Sequence, residues 1–280
     1  MNVKISTQLQ IGKISYVNTA PFYHGLLRES DDWKIAEGVP TQINQMIQTG
    51  QLDLAPISSL EYANRAADYL VLPDVSISAR YASGSVILVS REKIENLNGK
   101  RIALSKESYS SQALVKVLLQ KRFQFRNDYT DANGLPVDMM KDADACLVIG
   151  DKALFYRPKG FVYKYDLGEL WSEWLGKPFC FSVWAVRKSY AEENAKEVAL
   201  FHERLKENTA QNLGALEEFI KSSFRLSISD EWFAPIYSYF SQLSYDFDES
   251  IQDGLKTFYN YAKELNLIPS SADQIEFFKA

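Results

Sequence analysis

Short apolar runs alternate with amphipathic stretches through the first 65 residues, and this alternation restricts the fold more than any other feature of the sequence. In one amphipathic stretch, Ile43, Met46 and Ile47 share a helical face, and Gly50 follows as a terminator. Strands are predicted at 9–17, 34–39 and 52–57, and helices at 22–27, at 41–49 and from Ser58 onward. Such alternation is typical of a largely parallel sheet covered by helices, so the sequence predicts an α/β protein.

Two strongly apolar stretches, 85–90 and 179–187, bracket a middle segment of about domain size. Beyond them the chain has mainly helical periodicity to its end. A chain that leaves one lobe, builds a second and returns must cross over twice, and these stretches are the candidate crossover strands. We therefore expect 1–87 plus 182–280 to form lobe 1 and 88–181 to form lobe 2. A ligand site is expected between the lobes, at the carboxyl ends of the sheet strands.

The charge balance indicates what kind of partner the protein has. A formal net charge of −5 over 280 residues gives no electrostatic reason to expect nucleic acid or an anionic membrane as a partner. An anionic ligand would therefore need a local binding position. The first residues contain no apolar export signal, and no apolar run is long enough to span a bilayer, so we expect a cytoplasmic protein. The oligomeric state is not indicated.

Cysteines and histidines are few, and their placement argues against several chemistries. Cys146 and Cys180 are flanked by apolar residues, which favours buried reduced thiols over a disulfide. His24 and His202 have no metal-ligand spacing with them, so no metal is expected. Neither a Gly-rich phosphate loop nor a Gly-x-Ser-x-Gly elbow occurs, and the middle of the chain has no histidine. Phosphate transfer, serine hydrolysis and metal hydrolysis therefore have little support.

Polar residues cluster where the first predicted strand meets its helix, at Ser15, Tyr16, Asn18 and Thr19. A helix start offers free N–H groups and a positive dipole end, both suited to a carboxylate. Asn18 and Thr19 are also favoured helix caps, so binding and capping are equally good interpretations.

A second cluster, Ser108, Ser110 and Ser111, opens another predicted helix. Three serines exceed what one cap needs, so a second carboxylate position and simple capping are again about equally supported. Ser58 has the capping-box spacing with Glu61, and capping is favoured there.

Two further positions lie next to predicted strands. Ser85 follows Gly84, whose flexibility permits close backbone approach, so Ser85 either points into the cleft or belongs to a plain turn. Gly150 and Asp151 follow the strand at 145–149. Asp151 either orients a ligand hydroxyl or caps the next helix, and capping is slightly favoured.

At these residues the sequence resembles the chorismate dehydratases of the futalosine route to menaquinone. The resemblance spans nearly the whole chain, and the order and spacing of its blocks are specific although each block alone is weak. The blocks are 11–22, 50–62, 108–111, 147–154, 166–168 with Trp171, and 176–187. The family commonly has Thr at the position of Ser110 and a small or apolar residue at the position of Lys152.

The resemblance implies a periplasmic-binding-protein-like type II fold, in which mixed sheets are covered by helices and two crossover strands form a hinge. It implies a carbon–oxygen lyase (hydro-lyase) of menaquinone biosynthesis that converts chorismate to 3-[(1-carboxyvinyl)oxy]benzoate. No metal and no organic cofactor are expected.

This chemistry suits the polar clusters, because chorismate carries two carboxylates and the sequence offers two helix starts. Loss of the ring hydroxyl makes the ring aromatic, so positioning and weak proton assistance are needed more than a strong base. Asn18 is the residue expected to polarise the reacting centre. With no obvious base present, our hypothesis is that a substrate carboxylate takes part in proton transfer. The expected substrate-binding residues are Ser15, Tyr16, Thr19, Ser58, Ser85, Ser110, Ser111, Gly150 and Asp151.

Two alternatives remain open. A non-catalytic cytoplasmic binding protein or sensor for a small carboxylate would share the fold and the anion positions. The sister enzyme, 1,4-dihydroxy-6-naphthoate synthase, relies on a histidine in the second lobe, and this chain has none there.

Overall fold

The computed structural model describes residues 8–26, 33–157, 162–269 and 274–279. The strands within these ranges are β1 (Leu9–Ile14), β2 (Trp33–Gly38), β3 (Leu54–Ser58), β4 (Tyr69–Ala79), β5 (Val86–Ser90), β6 (Arg101–Ser105), β7 (Asp128–Ala132), β8 (Ala145–Ile149), β9 (Tyr163–Asp166), β10 (Phe179–Arg187) and β11 (Leu243–Ser244). The α-helices are α1 (Ala20–Tyr23), α2 (Pro40–Gln48), α3 (Ser59–Asn64), α4 (Tyr109–Val117), α5 (Pro136–Met139), α6 (Gly150–Leu154), α7 (Leu167–Leu175), α8 (Lys188–Gly214), α9 (Leu216–Phe224), α10 (Phe233–Gln242) and α11 (Glu249–Glu264).

The strands form two mixed sheets. The first is six-stranded with the order β11-β4-β10-β3-β1-β2, and the second is five-stranded with the order β7-β6-β8-β5-β9. In the first sheet β1 is parallel to β2 and β3, as the alternation in the sequence predicted, while β10 is antiparallel to β3 and β4. In the second sheet β6 is parallel to β7 and β8, and β5 is antiparallel to β8 and β9. The α/β prediction is confirmed, but the expected largely parallel sheet is wrong, since both sheets contain antiparallel pairings.

The chain passes between the sheets twice, from Ala79 to Val86 and from Leu175 to Phe179. The two apolar stretches singled out in the sequence are the strands that directly follow these passages, β5 and β10. The lobe boundaries at 87/88 and 181/182 stay a prediction.

The core extends across both sheets, since one apolar cluster contains Leu60 of α3, Leu114 of α4 and Phe258 of α11. Trp184 is fully buried against Phe22 in a separate cluster of the first sheet. Large buried aromatic rings of this kind contribute much of the apolar area that stabilises a domain.

Both cysteines are free and buried, and burial raises the pKa of each thiol to about 12. The predicted pair of buried, reduced thiols is confirmed.

The structure differs from the predicted elements at several places. The strand expected at 9–17 ends at Ile14 and is followed by a 3₁₀ turn, Val17–Thr19, and the four-residue α1. That helix replaces the one expected at 22–27, of which Leu27 lies outside the described residues. The long strand β4 was missed. In the described part of the chain no helix is long and apolar enough to cross a bilayer.

Candidate functional site

Residues predicted to bind a ligand meet where the two sheets face each other, and we call this region the lobe contact. Tyr16 Oη donates to Glu107 Oε2 over 2.7 Å, and the N–H of Val17 donates to Asp151 Oδ1 over 3.0 Å. The N–H of Leu60 donates to Ser110 Oγ over 2.8 Å. The ends of β1 and β3 thus contact the starts of α4 and α6, which are carried by the second sheet.

The first polar cluster forms a tight turn rather than the start of a long helix. Thr19 Oγ1 donates to the carbonyls of Ile14 and Tyr16, so its hydroxyl holds the turn. Neither Asn18 nor Thr19 caps a helix through its side chain, and α1 is too short to supply a substantial dipole. The capping interpretation of this cluster is therefore wrong. Ser15 is exposed beside it.

Asn18 is anchored through its backbone, while its side-chain Oδ1 has no partner among the described residues. Its backbone carbonyl accepts a 2.8 Å hydrogen bond from Tyr245 Oη. Its Oδ1 is buried and has no hydrogen-bond partner within the described ranges. A buried, unpaired acceptor costs about 1–3 kcal/mol, a penalty that a ligand hydroxyl donating to Oδ1 would remove.

At the second cluster, Ser108 caps α4 by accepting from the N–H of Ser111, and the two hydroxyls lie 3.0 Å apart. Ser110 does not cap; its hydroxyl crosses to the first sheet, where it contacts Leu60 N and Ser59 Oγ. The cluster therefore combines a cap with a bridge between the lobes.

Ser58 caps α3, as the sequence favoured, by accepting from the N–H of Glu61. The reciprocal bond of a capping box is not made, since the Glu61 carboxylate accepts from Gln48 and Tyr69. Burial raises the pKa of this carboxyl group. Ser58 Oγ also accepts from Asn44 Nδ2, and Ser58 is buried. All of these bonds stay within the first sheet and its helices.

Asp151 does not cap α6, so the favoured capping interpretation is wrong. Its carboxylate instead bridges the lobes through Val17 N–H. Burial raises the pKa of Asp151, and the hydrogen bond from Val17 partly opposes that rise.

Gly150 has a left-handed φ of 60°, and its N–H donates to the carbonyl of Ser85. A Cβ at this position would lie 2.9 Å from two atoms of the Tyr16 ring. Glycine thus lets the ring of Tyr16, from the first sheet, rest directly on the backbone of the second.

Glu107 was missed by the sequence analysis, although it accepts from Tyr16 Oη and pairs with Lys152 Nζ at 2.5 Å. Burial, followed by the bond to Glu107, raises the pKa of Tyr16 well above its ordinary value. The phenol therefore stays protonated and remains a donor at neutral pH. Lys152, which departs from the family pattern, thereby gains a partner at the lobe contact.

Two buried tyrosines from the C-terminal part of the chain also reach predicted site residues, and they too were missed. Tyr239 Oη donates to Ser85 Oγ over 2.8 Å, and Tyr245 Oη bonds to Asn18. No local motif signals them, because both partners are distant in sequence.

A cavity of about 410 Å³ opens beside the lobe contact, within the size range of small-molecule sites. Its lining includes Lys13, Ser15, Tyr16, Val17 and Asp151. No cluster of three or more potential metal-ligating side chains occurs among the described residues.

Gly150→Ala is expected to destabilise the protein by about 2–4 kcal/mol, because it combines left-handed strain with a clash against Tyr16. The matched control is Gly176→Ala, which has a φ of 65° but no heavy atom within 4 Å of the added Cβ. The control should lose only about 1–2 kcal/mol, from backbone strain alone. Urea unfolding of both variants measures the difference. Equal losses would mean that Tyr16 does not rest on Gly150.

Comparison with known proteins identifies a family and relatives of this chain. A model of the family described as menaquinone biosynthesis matches residues 9–264. Chorismate dehydratase of Thermus thermophilus is 29% identical over 231 residues, covering 77% of this chain and 81% of that protein.

Solved structures share the fold at low identity. A crystallised protein of Archaeoglobus fulgidus has a TM-score of 0.73 at 18% identity, over 93% of this chain and 98% of its own. The periplasmic aliphatic sulphonate binding protein SsuA of Escherichia coli has a TM-score of 0.66 at 16% identity, over 97% and 94%. The predicted periplasmic-binding-protein-like fold is confirmed.

Proposed function

The chain belongs to the menaquinone biosynthesis family, and we propose that it is an enzyme that dehydrates chorismate to 3-[(1-carboxyvinyl)oxy]benzoate. The proposal rests on the match to the Thermus thermophilus chorismate dehydratase, which covers 77% of this chain. The enzyme would be a carbon–oxygen lyase, and a cytoplasmic location belongs to the same proposal.

The lobe contact suits a substrate with two carboxylates. Both lobes contribute donors to it, namely the N–H groups of Val17 and Leu60 and the hydroxyls of Tyr16, Ser110 and Ser111. In the structure, Asp151 accepts from the N–H of Val17 and Ser110 accepts from the N–H of Leu60. In the proposed complex, substrate carboxylates take over part of this donor set, and both lobes then hold one ligand.

The reaction removes a proton from the ring carbon that bears the ether, and hydroxide from the neighbouring ring carbon. The electrons of the broken C–H bond form the new ring double bond, the ring becomes aromatic, and the proton and hydroxide leave as water. We place the Asn18 amide at the departing hydroxyl. The unpaired Oδ1 accepts the hydroxyl proton and positions the group, and Nδ2–H donates to the hydroxyl oxygen as that oxygen gains negative charge.

The proton acceptor in this proposal is a carboxylate of the substrate. His202 bonds to the carbonyl of Pro73, away from the lobe contact. His24 bonds to Ser222 and lines the cavity beside the lobe contact. Asp151 already accepts from Val17. A carboxylate of the substrate that is held close to the reacting C–H bond would replace a strong protein base, because a correctly oriented group has a high effective concentration.

The test is to incubate the purified protein with chorismate and follow products by chromatography and mass spectrometry, with a protein-free incubation as control. The expected product is lighter than chorismate by one water. Binding of chorismate without turnover would instead favour the carboxylate-sensor alternative, and absence of both would overturn the proposal.

A further inference from the structure

Tyr239 of α10 is buried, and its hydroxyl contacts Ser85 at the start of the second sheet. Gly84, with a left-handed φ of 69°, leaves the space that the ring occupies; a Cβ there would lie 2.8 Å from Tyr239 Cδ2. Both the ring and the hydroxyl of Tyr239 are therefore fixed by the segment that leads into β5.

The direction of this hydrogen bond determines what Ser85 can do. Tyr239 Oη donates to Ser85 Oγ. Burial raises the pKa of Tyr239 well above its ordinary value, and the hydrogen bond with Ser85 partly opposes that rise, so the phenol keeps the proton that it donates. A serine hydroxyl that accepts one hydrogen bond still carries its own proton. Within the described residues, Ser85 Oγ has no second hydrogen-bond partner that accepts this proton.

Ser85 lies at the lobe contact. Its carbonyl accepts from the N–H of Gly150, which supports the Tyr16 ring and precedes Asp151. Ser85, which is buried, thus lies beside residues that are proposed to hold the substrate.

We propose that Tyr239 is a positioning residue, which orients the Ser85 hydroxyl so that its proton is donated to a substrate carboxylate. The inference rests on the proposed function. It assigns to the C-terminal helical segment a direct part in substrate affinity, although Tyr239 itself does not touch the substrate.

A double-mutant cycle of Tyr239→Phe and Ser85→Ala tests this, with kcat and KM measured for chorismate. Each single variant should raise KM about tenfold, because one hydrogen bond to a charged group of the substrate is lost. The kcat of each variant should stay within about threefold of the wild-type value. The double variant should be no worse than Ser85→Ala alone, because Tyr239 acts only through Ser85.

Tyr190→Phe is the matched control. Tyr190 Oη donates to Glu197 over 2.8 Å. Tyr190 follows the C-terminal end of β10, whereas the lobe contact is near the N-terminal end of that strand. Combined with Ser85→Ala, it should leave the KM of the single variant unchanged.

The outcomes separate the two proposals. If the wild-type protein converts chorismate but the increases in KM from Tyr239→Phe and Ser85→Ala multiply in the double variant, Tyr239 has only a structural role. That result overturns this inference and leaves the proposed function intact. An unchanged KM in Ser85→Ala also overturns it, even if Tyr239→Phe fails to fold. Absence of any turnover by the wild-type protein overturns the proposed function and this inference with it.

Discussion

Asn18→Ala is expected to lower kcat for chorismate by about 10²–10³-fold while leaving the folded protein at least as stable as the wild type. The kinetic loss follows if the amide contacts the departing hydroxyl as its bond breaks, since such contacts act mainly on the transition state. The stability result follows from the unpaired Oδ1, because removing a buried acceptor without a partner relieves a desolvation penalty. The Tyr245 bond is to the backbone carbonyl and survives the substitution.

The matched control is Asn212→Ala. The Asn212 side chain donates to the carbonyls of Pro21 and His24 and is buried, but it lies outside the lobe contact. This variant should lose about 1–3 kcal/mol of unfolding free energy and keep its kcat at temperatures where it is folded. Steady-state kinetics and urea unfolding on both variants give the comparison. Near-normal turnover by Asn18→Ala would remove Asn18 from the proposed mechanism.

Asn18→Ala should lose activity and keep its stability, whereas Asn212→Ala should lose stability and keep its activity. This contrast distinguishes a functional residue from a structural one. A side chain retained for chemistry can leave a polar group unpaired in the folded state, because its partner arrives with the substrate. A structural amide pairs with its own chain.

Local patterns were sufficient for much of the fold. The strand predicted at 179–187 has the bounds of β10, because its run of apolar residues is buried on both faces. The strand β4 was missed for a local reason. Pro73, Asp74 at a φ of 65°, and the buried Ser76 and Ser78 interrupt its apolar pattern. Pairing with β10 and β11 overrides that composition.

The site was harder to predict, because a helix cap and a ligand contact use the same atoms. Ser58 and Ser110 look alike in sequence, yet Ser58 caps its own helix while Ser110 bonds to Leu60, 50 residues away. The Val17–Asp151 bond spans 134 residues, and the Tyr239–Ser85 bond spans 154. Partners at such separations are set by how the sheets pack, which spacing along the chain does not encode. Asn18 was selected through the family resemblance, and its role remains a proposal.

Gly254→Ala is expected to destabilise the protein by about 3 kcal/mol, although Gly→Ala in a helix normally stabilises by about 1 kcal/mol. Gly254 lies inside α11, and a Cβ there would clash with the carbonyl oxygen of Pro178. Pro178 belongs to the second passage between the sheets, and its carbonyl also accepts from Trp171 Nε1 over 3.1 Å.

Relief of this clash requires the backbone of α11 or of the passage to move, since the obstructing atom is a backbone oxygen. Trp171, Phe179 and Phe258 pack edge to face around the same point, so a shift would also loosen their contacts.

The control is Gly214→Ala at the end of α8, where an added Cβ meets nothing within 4 Å. It should be neutral or stabilising by up to about 1 kcal/mol. Urea unfolding should therefore show a loss of unfolding free energy in Gly254→Ala and no loss in Gly214→Ala. If Gly254→Ala is as stable as Gly214→Ala, the close approach of α11 to the passage is wrong. If it is destabilised as expected and KM for chorismate rises as well, the passage also sets how the two lobes meet around the substrate.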